Sequence, residues 1–328
     1  MNILITGGAG YIGSVLVKKL MDKKYFVLAV DNLTRGDYRY LSNYKDNPNL
    51  KLFIKDVRDR KKMEEIFKDN SINAVIHLAA IPGMERCRRD PYSAITTNIY
   101  GTYNIIELAR MHDVDKVILA SSAAVYGDTT KTPIKETHPL RPTNLYGVTK
   151  LAAEKLINAY YKNYGLSTII LRIGNVYGVG LYTYWENVIP KFVKQALTGQ
   201  PLTIYGDGCQ SRDFVHVWDV AQAIELALEA GKNVAGEVFN VGTGKPISVN
   251  FVADIISKIV KEKLGDNVKK IYLPPRKSEP HIRNFCLSIS RIKEKLNFNP
   301  KWTIEKGVNQ LINYFLRIQG GKDEFIGS

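Results

Sequence analysis

The first thirteen residues restrict what this chain can fold into more than any other stretch. A β-forming run, Asn2 to Thr6, leads straight into Thr6-Gly7-Gly8-Ala9-Gly10-Tyr11-Ile12-Gly13, and apolar residues at helical spacing begin at Tyr11. Gly7, Gly10 and Gly13 satisfy the spacing GxxGxxG, while Gly8, Gly10 and Gly13 satisfy GxGxxG. Between a strand and a helix such glycines have three tasks: a tight turn, close backbone approach to a pyrophosphate, and close helix packing, with the helix N-terminus facing the phosphates. Eighteen residues after Gly13 a second strand-like run ends on Asp31, where a carboxylate can bind a ribose 2′-hydroxyl. An acid there repels a 2′-phosphate, so NAD is expected rather than NADP, with Arg35 pulling slightly the other way.

Strand and helix signals go on alternating. Phe26 to Val30, Lys51 to Ile54, Ala74 to Leu78, Lys116 to Ala120 and Ser167 to Arg172 read as further strands. Tyr11 to Met21, Lys61 to Asp69, Tyr92 to His112 and Gly147 to Tyr164 read as the helices between them. This order builds a parallel sheet covered on both faces. After about residue 175 the pattern loosens, with helices expected at Val188 to Thr198, Val220 to Glu229, Val249 to Lys263 and Ile304 to Arg317. The expected organisation is a dinucleotide-binding domain over 1–175, to which later segments return, and a smaller lobe over 176–328 with a frayed tail.

Composition narrows the classes of function. No stretch approaches the roughly 20 consecutive apolar residues of a membrane helix, and the N-terminus is a strand and turn rather than a signal peptide, so a cytoplasmic location is expected. Cys87, Cys209 and Cys286 lie far apart without a CxxC pair, so neither a disulfide framework nor a metal site is expected. The 46 basic and 32 acidic residues leave +14. The lysines are scattered and the one dense arginine cluster is Arg86, Arg88 and Arg89, which reads as a solvated surface rather than a nucleic-acid face.

Two further constellations carry chemistry. In Tyr146-Gly147-Val148-Thr149-Lys150, Tyr and Lys at i and i+4 share one helix face. A phenol of pKa about 10 is a poor base at neutral pH, but a neighbouring ammonium favours its phenolate. Among 19 tyrosines the spacing alone also fits a plain surface pair. Upstream, Ser121-Ser122-Ala123-Ala124-Val125-Tyr126-Gly127 puts small hydroxyls at the carboxyl end of a strand, where ligands of open α/β sheets bind. The bland alternative is a serine-capped turn. Asp56, after the third strand, reads equally as an adenine-side residue or a helix cap.

Together, the TGGAGYIG turn, Asp31, His77-Leu78-Ala79-Ala80, SSAAVYG, Tyr146xxxLys150 and Leu171-Arg172-Ile173-Gly174-Asn175-Val176-Tyr177-Gly178 resemble the extended short-chain dehydrogenase/reductase family, within it the nucleotide-sugar epimerases and dehydratases. The resemblance implies a Rossmann-like doubly wound parallel sheet with a smaller C-terminal α/β substrate lobe. It implies Ser122, Tyr146 and Lys150 as the catalytic set. NAD would be bound by Gly7, Gly10, Tyr11, Ile12, Asp31, Asn32, Asp56, Val57, Leu78, Ala79, Ala80 and Asn98, together with Tyr146 and Lys150. The nucleotide sugar would meet Ser122, Asn175, Asn187, Val188, Thr203, Tyr205, Arg212, Arg276 and Phe285. Two arginines from distant segments suit a diphosphate, which guanidinium grips bidentately, though either can serve as a structural ion-pair partner.

Relatives that eliminate water carry an acid pair after the catalytic hydroxyl, and sugar-acid decarboxylases keep a glutamate at the second position; here both are alanine, Ala123 and Ala124. The expected reaction is therefore C4 epimerisation of a UDP-hexose, the glucose and galactose forms interconverting through a 4-keto sugar. Cys87, where many relatives have serine, and an apparent insertion within Lys277 to Leu287 leave the hexose open. An aromatic at Phe285 is expected to disfavour 2-acetamido sugars. Alternatives are an epimerase of UDP-glucuronate, a UDP-N-acetylhexosamine or a GDP-sugar, a nucleotide-sugar reductase, and, more distantly, a non-catalytic NAD- or RNA-binding relative. The resemblance also implies a homodimer through helices 92–112 and 147–164.

Overall fold

The computed structural model describes residues 1–34, 38, 41, 44, 46–129, 131–180, 185, 187–275 and 284–319; Arg35, Arg276, most of the expected insertion and the tail lie outside them. Six β-rich runs form β1 (Asn2–Thr6), β2 (Phe26–Asp31), β3 (Leu50–Ile54), β4 (Ala74–His77), β5 (Lys116–Ser122) and β6 (Thr168–Ile173). With them run α1 (Tyr11–Asp22), α2 (Arg60–Asp69), α3 (Met84–Arg89), α4 (Pro91–Ile95), α5 (Thr102–Met111) and α6 (Leu145–Tyr164). Beyond Ile173 the elements shorten: β7 (Asn175–Tyr177), α7 (Val188–Leu197), β8 (Leu202–Tyr205), β9 (Ser211–Arg212), β10 (Phe214–His216), α8 (Val217–Glu229), β11 (Val238–Val241), β12 (Ile247–Ser248), α9 (Val249–Leu264), β13 (Lys270–Leu273), α10 (Ser290–Leu296) and α11 (Ile304–Gln319).

One parallel sheet takes seven of these strands in the order β11-β6-β5-β4-β1-β2-β3. β4 and β6 are buried along their whole length, as strands covered on both faces must be. Ile3, Ile5, Val15, Leu16, Ile169, Val220 and Ile224 form the core under α1 and α8; Leu4, Val75, Ile105, Leu108, Val117 and Ile157 form the opposite core under α2, α5 and α6. Each buried aliphatic side chain contributes about 1.5–3 kcal/mol, which outweighs the weak helix propensity of the β-branched residues involved. The chain reverses direction of winding between β1 and β4, and this opens a crevice above their carboxyl ends.

The C-terminal lobe has its own core, where Phe192, Ile204, Val252, Ile256, Val308 and Leu311 join α7, β8, α9 and α11. A small fourth cluster, Ala123, Val125, Tyr126, Ile134, Phe285 and Leu287, lies behind the turn that follows β5.

The helix expected over Tyr92 to His112 is instead broken into α4, a π-turn at Thr96–Gly101, and α5. The wide turn admits Val57: a Cβ at Gly101 would stand 2.7 Å from Val57 Cγ2. Among the described residues, no helix is long and apolar enough to cross a membrane.

Candidate active site

The glycine turn seals β1 against β4 and leaves the N-terminus of α1 bare. Gly7 has φ +73°, and a Cβ there would lie 2.8 Å from the Ala79 amide nitrogen, so a side chain is excluded by both conformation and space. Gly13 is tighter still, with a virtual Cβ 2.0 Å from the Gly7 carbonyl oxygen. Gly10 caps α1 with no side chain to offer, which leaves the first backbone amides of the helix to a ligand. Tyr11 donates its hydroxyl to the Gly178 carbonyl at 2.7 Å and is buried, so the cleft meets its backbone; Ile12 is half-buried.

Asp31 ends β2 half-exposed. Its carboxylate accepts the Ala9 amide at 3.1 Å and the Leu33 amide at 2.9 Å, and burial raises its pKa against the pull of those amides. Next to it, Asn32 donates to Asp56 at 2.8 Å, and Arg58 grips Asp56 with Nε and Nη2 at 2.9 and 2.7 Å. Although burial acts the other way, these donors bring Asp56 down to about 2. Asp56 is not the cap of α2; Asp59 is, accepting the Lys62 amide. Val57 is buried behind it. A bare glycine turn, an open helix N-terminus and a carboxylate at the end of the next strand fit an adenine dinucleotide.

Leu78, Ala79 and Ala80 leave β4 half-buried on the far lip of the crevice. Beneath them His77 lies between the Thr6 hydroxyl, 2.6 Å from Nδ1, and the Thr102 hydroxyl, 3.0 Å from Nε2. Burial, aided by the Lys150 charge, drops its pKa to about 3, so it stays neutral. Asn98, in the π-turn, accepts the Ile81 amide at 2.7 Å and donates to the Ile81 carbonyl at 3.1 Å and the Thr149 hydroxyl at 3.0 Å. Thr149 donates in turn to the Tyr146 carbonyl at 2.9 Å. Asn98 thus bears on the crevice by stitching its lip to α6.

α6 begins where Asn144 accepts the Gly147 amide at 2.9 Å. It packs against the short 3₁₀ turn Ala123–Tyr126, close enough that a Cβ at Gly147 would be 2.6 Å from the Ala124 carbonyl oxygen. Tyr146 is half-buried, and Lys150, one helical turn below, is 4% exposed. Ser122 is half-buried and its Oγ accepts the Ala124 amide at 3.2 Å, so it caps this turn. Burial lowers Lys150 to about 8, with Glu154 and then Cys87 acting to raise it. Cys87 is buried, its Sγ 3.4 Å from the Ile81 carbonyl. Glu154 is held by Ser121 and Arg172; nothing but its i+4 spacing from Lys150 betrays it in the sequence.

Apart from Ser122, the described residues expected to meet the nucleotide sugar lie beyond β6, on or beside the lobe. Asn175 is exposed on β7, Asn187 is the exposed N-cap of α7, and Val188 is half-buried beside it. Thr203 accepts from Gln195 Nε2 at 2.8 Å, and the Lys191 ammonium stands 5.3 Å over the Tyr205 ring. Arg212, half-buried on β9, donates Nη1 to the Ser211 carbonyl at 2.8 Å. Phe285 is 8% exposed and packs in the fourth cluster with Ala123, behind the Ser122 turn. Asp213, which no sequence signal singles out, accepts the Thr243 amide and hydroxyl at 2.7 and 2.6 Å and the amides of Gly244 and Leu287 at 3.1 and 3.2 Å.

A dinucleotide cradle and a Tyr-Lys pair meeting at the switch point of a doubly wound sheet mark an NAD-dependent enzyme of the short-chain dehydrogenase/reductase kind. Residues 3–242 match the NAD dependent epimerase/dehydratase family, and the chain belongs to it, with NAD as its cofactor. It is 39% identical to a Methanocaldococcus jannaschii protein provisionally named UDP-glucose 4-epimerase, over 95% of this chain and 97% of that one. It is 32% identical to the dTDP-glucose 4,6-dehydratase of Salmonella typhimurium, over 96% and 93%. Among solved structures, the UDP-glucose 4-epimerase of Thermotoga maritima with UDP-glucose superposes with a TM-score of 0.88 at 36% identity, over 97% of this chain and all of that one. The chain is therefore a nucleotide-sugar epimerase/dehydratase family enzyme.

Proposed function

We propose that this enzyme epimerises a UDP-hexose at C4, interconverting UDP-glucose and UDP-galactose. The observation that carries the reading is the turn after Ser122, which is Ala-Ala-Val-Tyr and offers no acid to protonate a leaving hydroxyl. Glu154 beneath it is already engaged by Ser121 and Arg172. Elimination therefore lacks a separate acid for its leaving hydroxyl, while epimerisation needs only the one proton that Tyr146 takes and gives back.

In this reading Ser122 hydrogen-bonds the C4 oxygen and Tyr146 takes its proton, with Lys150 as the cation that makes the phenolate accessible. NAD, when bound in the cradle, would supply a reversible hydride acceptor for C4. The 4-keto sugar turns over between the two transfers, and Tyr146 returns its proton to the oxygen of the new epimer. Gly7, Gly10, Tyr11 and Ile12 would cradle the cofactor's pyrophosphate, Asp31 and Asn32 its ribose, with Asp56, Val57 and Leu78 to Ala80 lining the same cleft. Arg212 would clamp the sugar's diphosphate, with Arg276 as its expected partner; Asn175, Asn187, Val188, Thr203 and Tyr205 line the same side. Phe285, filling the space behind Ala123, stiffens the wall of the sugar pocket and disfavours a 2-acetamido group.

The test is NMR of the anomeric protons in separate incubations with UDP-glucose, UDP-galactose, their N-acetyl forms and UDP-glucuronate. We expect interconversion of the first two, weaker turnover of the N-acetyl pair, and a loss of about 10³-fold or more in kcat for Tyr146→Phe. Dehydrated products, or activity confined to glucuronate, would replace the reading.

We also propose that the enzyme works as a homodimer in the cytoplasm. Tyr92, Ile95, Tyr100 and Met111 on the α4–α5 stretch and Val148 and Tyr164 on α6 are exposed apolar side chains suited to a second copy. Light scattering should give twice the monomer mass, and Val148→Asp should halve it.

A further inference from the structure

The Tyr-Lys pair stands over a second buried charge system that the chemistry above does not use. Glu154 follows Lys150 by one turn on the inward face of α6, and it is 3% exposed. Side chains at this spacing are neighbours on a helix. The Glu154 carboxylate accepts Ser121 Oγ at 2.5 Å and is gripped by Arg172 of β6, with Nε at 3.0 and 3.2 Å from its two oxygens and Nη2 at 2.8 Å. Arg172 spends Nη1 on the Tyr126 hydroxyl at 3.1 Å and the Glu136 carbonyl at 3.0 Å. Tyr126 donates to Asn240 of β11 at 2.6 Å. One carboxylate therefore joins the residue before Ser122, the helix of Tyr146 and Lys150, and, through Arg172 and Tyr126, the last two strands at one side of the sheet.

For stability alone such a pair is poor value, because desolvation offsets its attraction and an apolar pair of equal volume does as well. We propose that Glu154 is a positioning residue: held by Ser121 and Arg172, it keeps the Lys150 ammonium charged inside a dry site and fixes Ser122 and Tyr146 in register. The inference rests on the reading of Lys150 as the cation that activates Tyr146. The groups around Lys150 single out Glu154. Tyr146 shares α6; Cys87 of α3 is a thiol that burial keeps protonated; His77 of β4 is neutral; β5 offers only the Ser121 and Ser122 hydroxyls; Arg172 lies beyond Glu154. Glu107 and Arg110 of α5 meet α6 at Tyr160, near its far end, and the Glu85, Arg88 and Arg89 pairs are on the exposed side of α3. Burial has already brought Lys150 to about 8, and Glu154 is the main opposing influence.

The sign follows. Without the carboxylate, Lys150 loses its proton at lower pH, and the alkaline limb of activity moves down with it. The experiment titrates Lys150 in the NAD-loaded enzyme by 13C NMR of Cε-labelled lysine, the resonance assigned by Lys150→Arg, and records kcat against pH for the same proteins. Glu154→Gln should lower both midpoints by about one to two units, and Glu154→Asp, which keeps the charge, should leave them near the native value. Glu154→Gln with Arg172→Met leaves no unpaired Arg172 guanidinium, is expected to fold if the single variant does not, and should still lower the midpoint. Folded variants with unmoved midpoints, whatever their kcat, overturn the inference. A Tyr146→Phe enzyme that turns over normally would defeat the catalytic reading instead, while the NMR midpoint would still report the grip of Glu154 on Lys150.

Discussion

At Gly147 a hydrogen in place of a methyl lets α6 rest on the turn after Ser122. The nearest neighbours of a Cβ there are the Ala124 carbonyl oxygen at 2.6 Å and Pro142 Cβ at 2.8 Å, one backbone and one ring, and neither can swing away. Gly147→Ala must push the start of α6 outward by several tenths of an ångström and carry Tyr146 with it. Because misplacement on the ångström scale costs about 10²-fold in rate, kcat should fall by roughly tenfold or more. Gly165, at the other end of α6, is the control: its φ is +70°, but a Cβ there would meet nothing within 4 Å. Gly165→Ala should cost about 1–2 kcal/mol of stability and leave kcat alone, read by thermal melts beside steady-state kinetics.

At the scale of elements, the π-turn between α4 and α5 is the joint that ties the crevice to the helix of Tyr146. Asn98→Ala would remove its links to Ile81 and Thr149 together, leaving a half-buried Ile81 amide without its acceptor. We expect a loss of about 2–4 kcal/mol by denaturant titration, and NAD binding weakened about tenfold by calorimetry. Periodicity cannot announce such a turn: Tyr92 to His112 keeps helical spacing throughout, and one extra residue per turn is invisible in an apolar pattern. What periodicity does report, it reports well. β1 to β6 and the longer helices are legible because each buries a continuous face, and the glycine turn is legible because steric exclusion leaves few alternatives to glycine. β13 buries no face, with three of its four residues exposed, and the short α3 and α10 are too brief to show a period. Tyr146, Lys150 and Ser122 stand out as an expected set only through the joint motifs that resemble the family, whereas Glu154 and Arg172 look like ordinary surface charges until the sheet buries them. Asn98, expected at the cofactor, has an amide that bonds Ile81 and Thr149, which no sequence pattern announces.

Across the whole molecule, Asp213 holds the loop after β11 and the segment at Leu287 together through three backbone amides and a hydroxyl. Asp213→Asn turns one acceptor into a donor facing those donors. At about 1–3 kcal/mol for a buried donor left unpaired, as at Leu287, Tm should fall by about 5 °C, by calorimetry. Arg212 precedes it, so KM for the nucleotide sugar should rise as well. The sheet itself has a temporal side. The edge strand beside β6 comes from Val238–Val241, so β6 leaves the ribosome with one hydrogen-bonding edge bare and keeps it bare while Gly174 to Glu237, the first part of the lobe and α8, is made. At translation rates of about 5–20 residues per second that interval lasts on the order of several seconds. For that time the nascent chain exposes an apolar strand edge that any neighbouring chain can pair with, and crowding on a polysome sets the yield of native enzyme before its finished stability has any say.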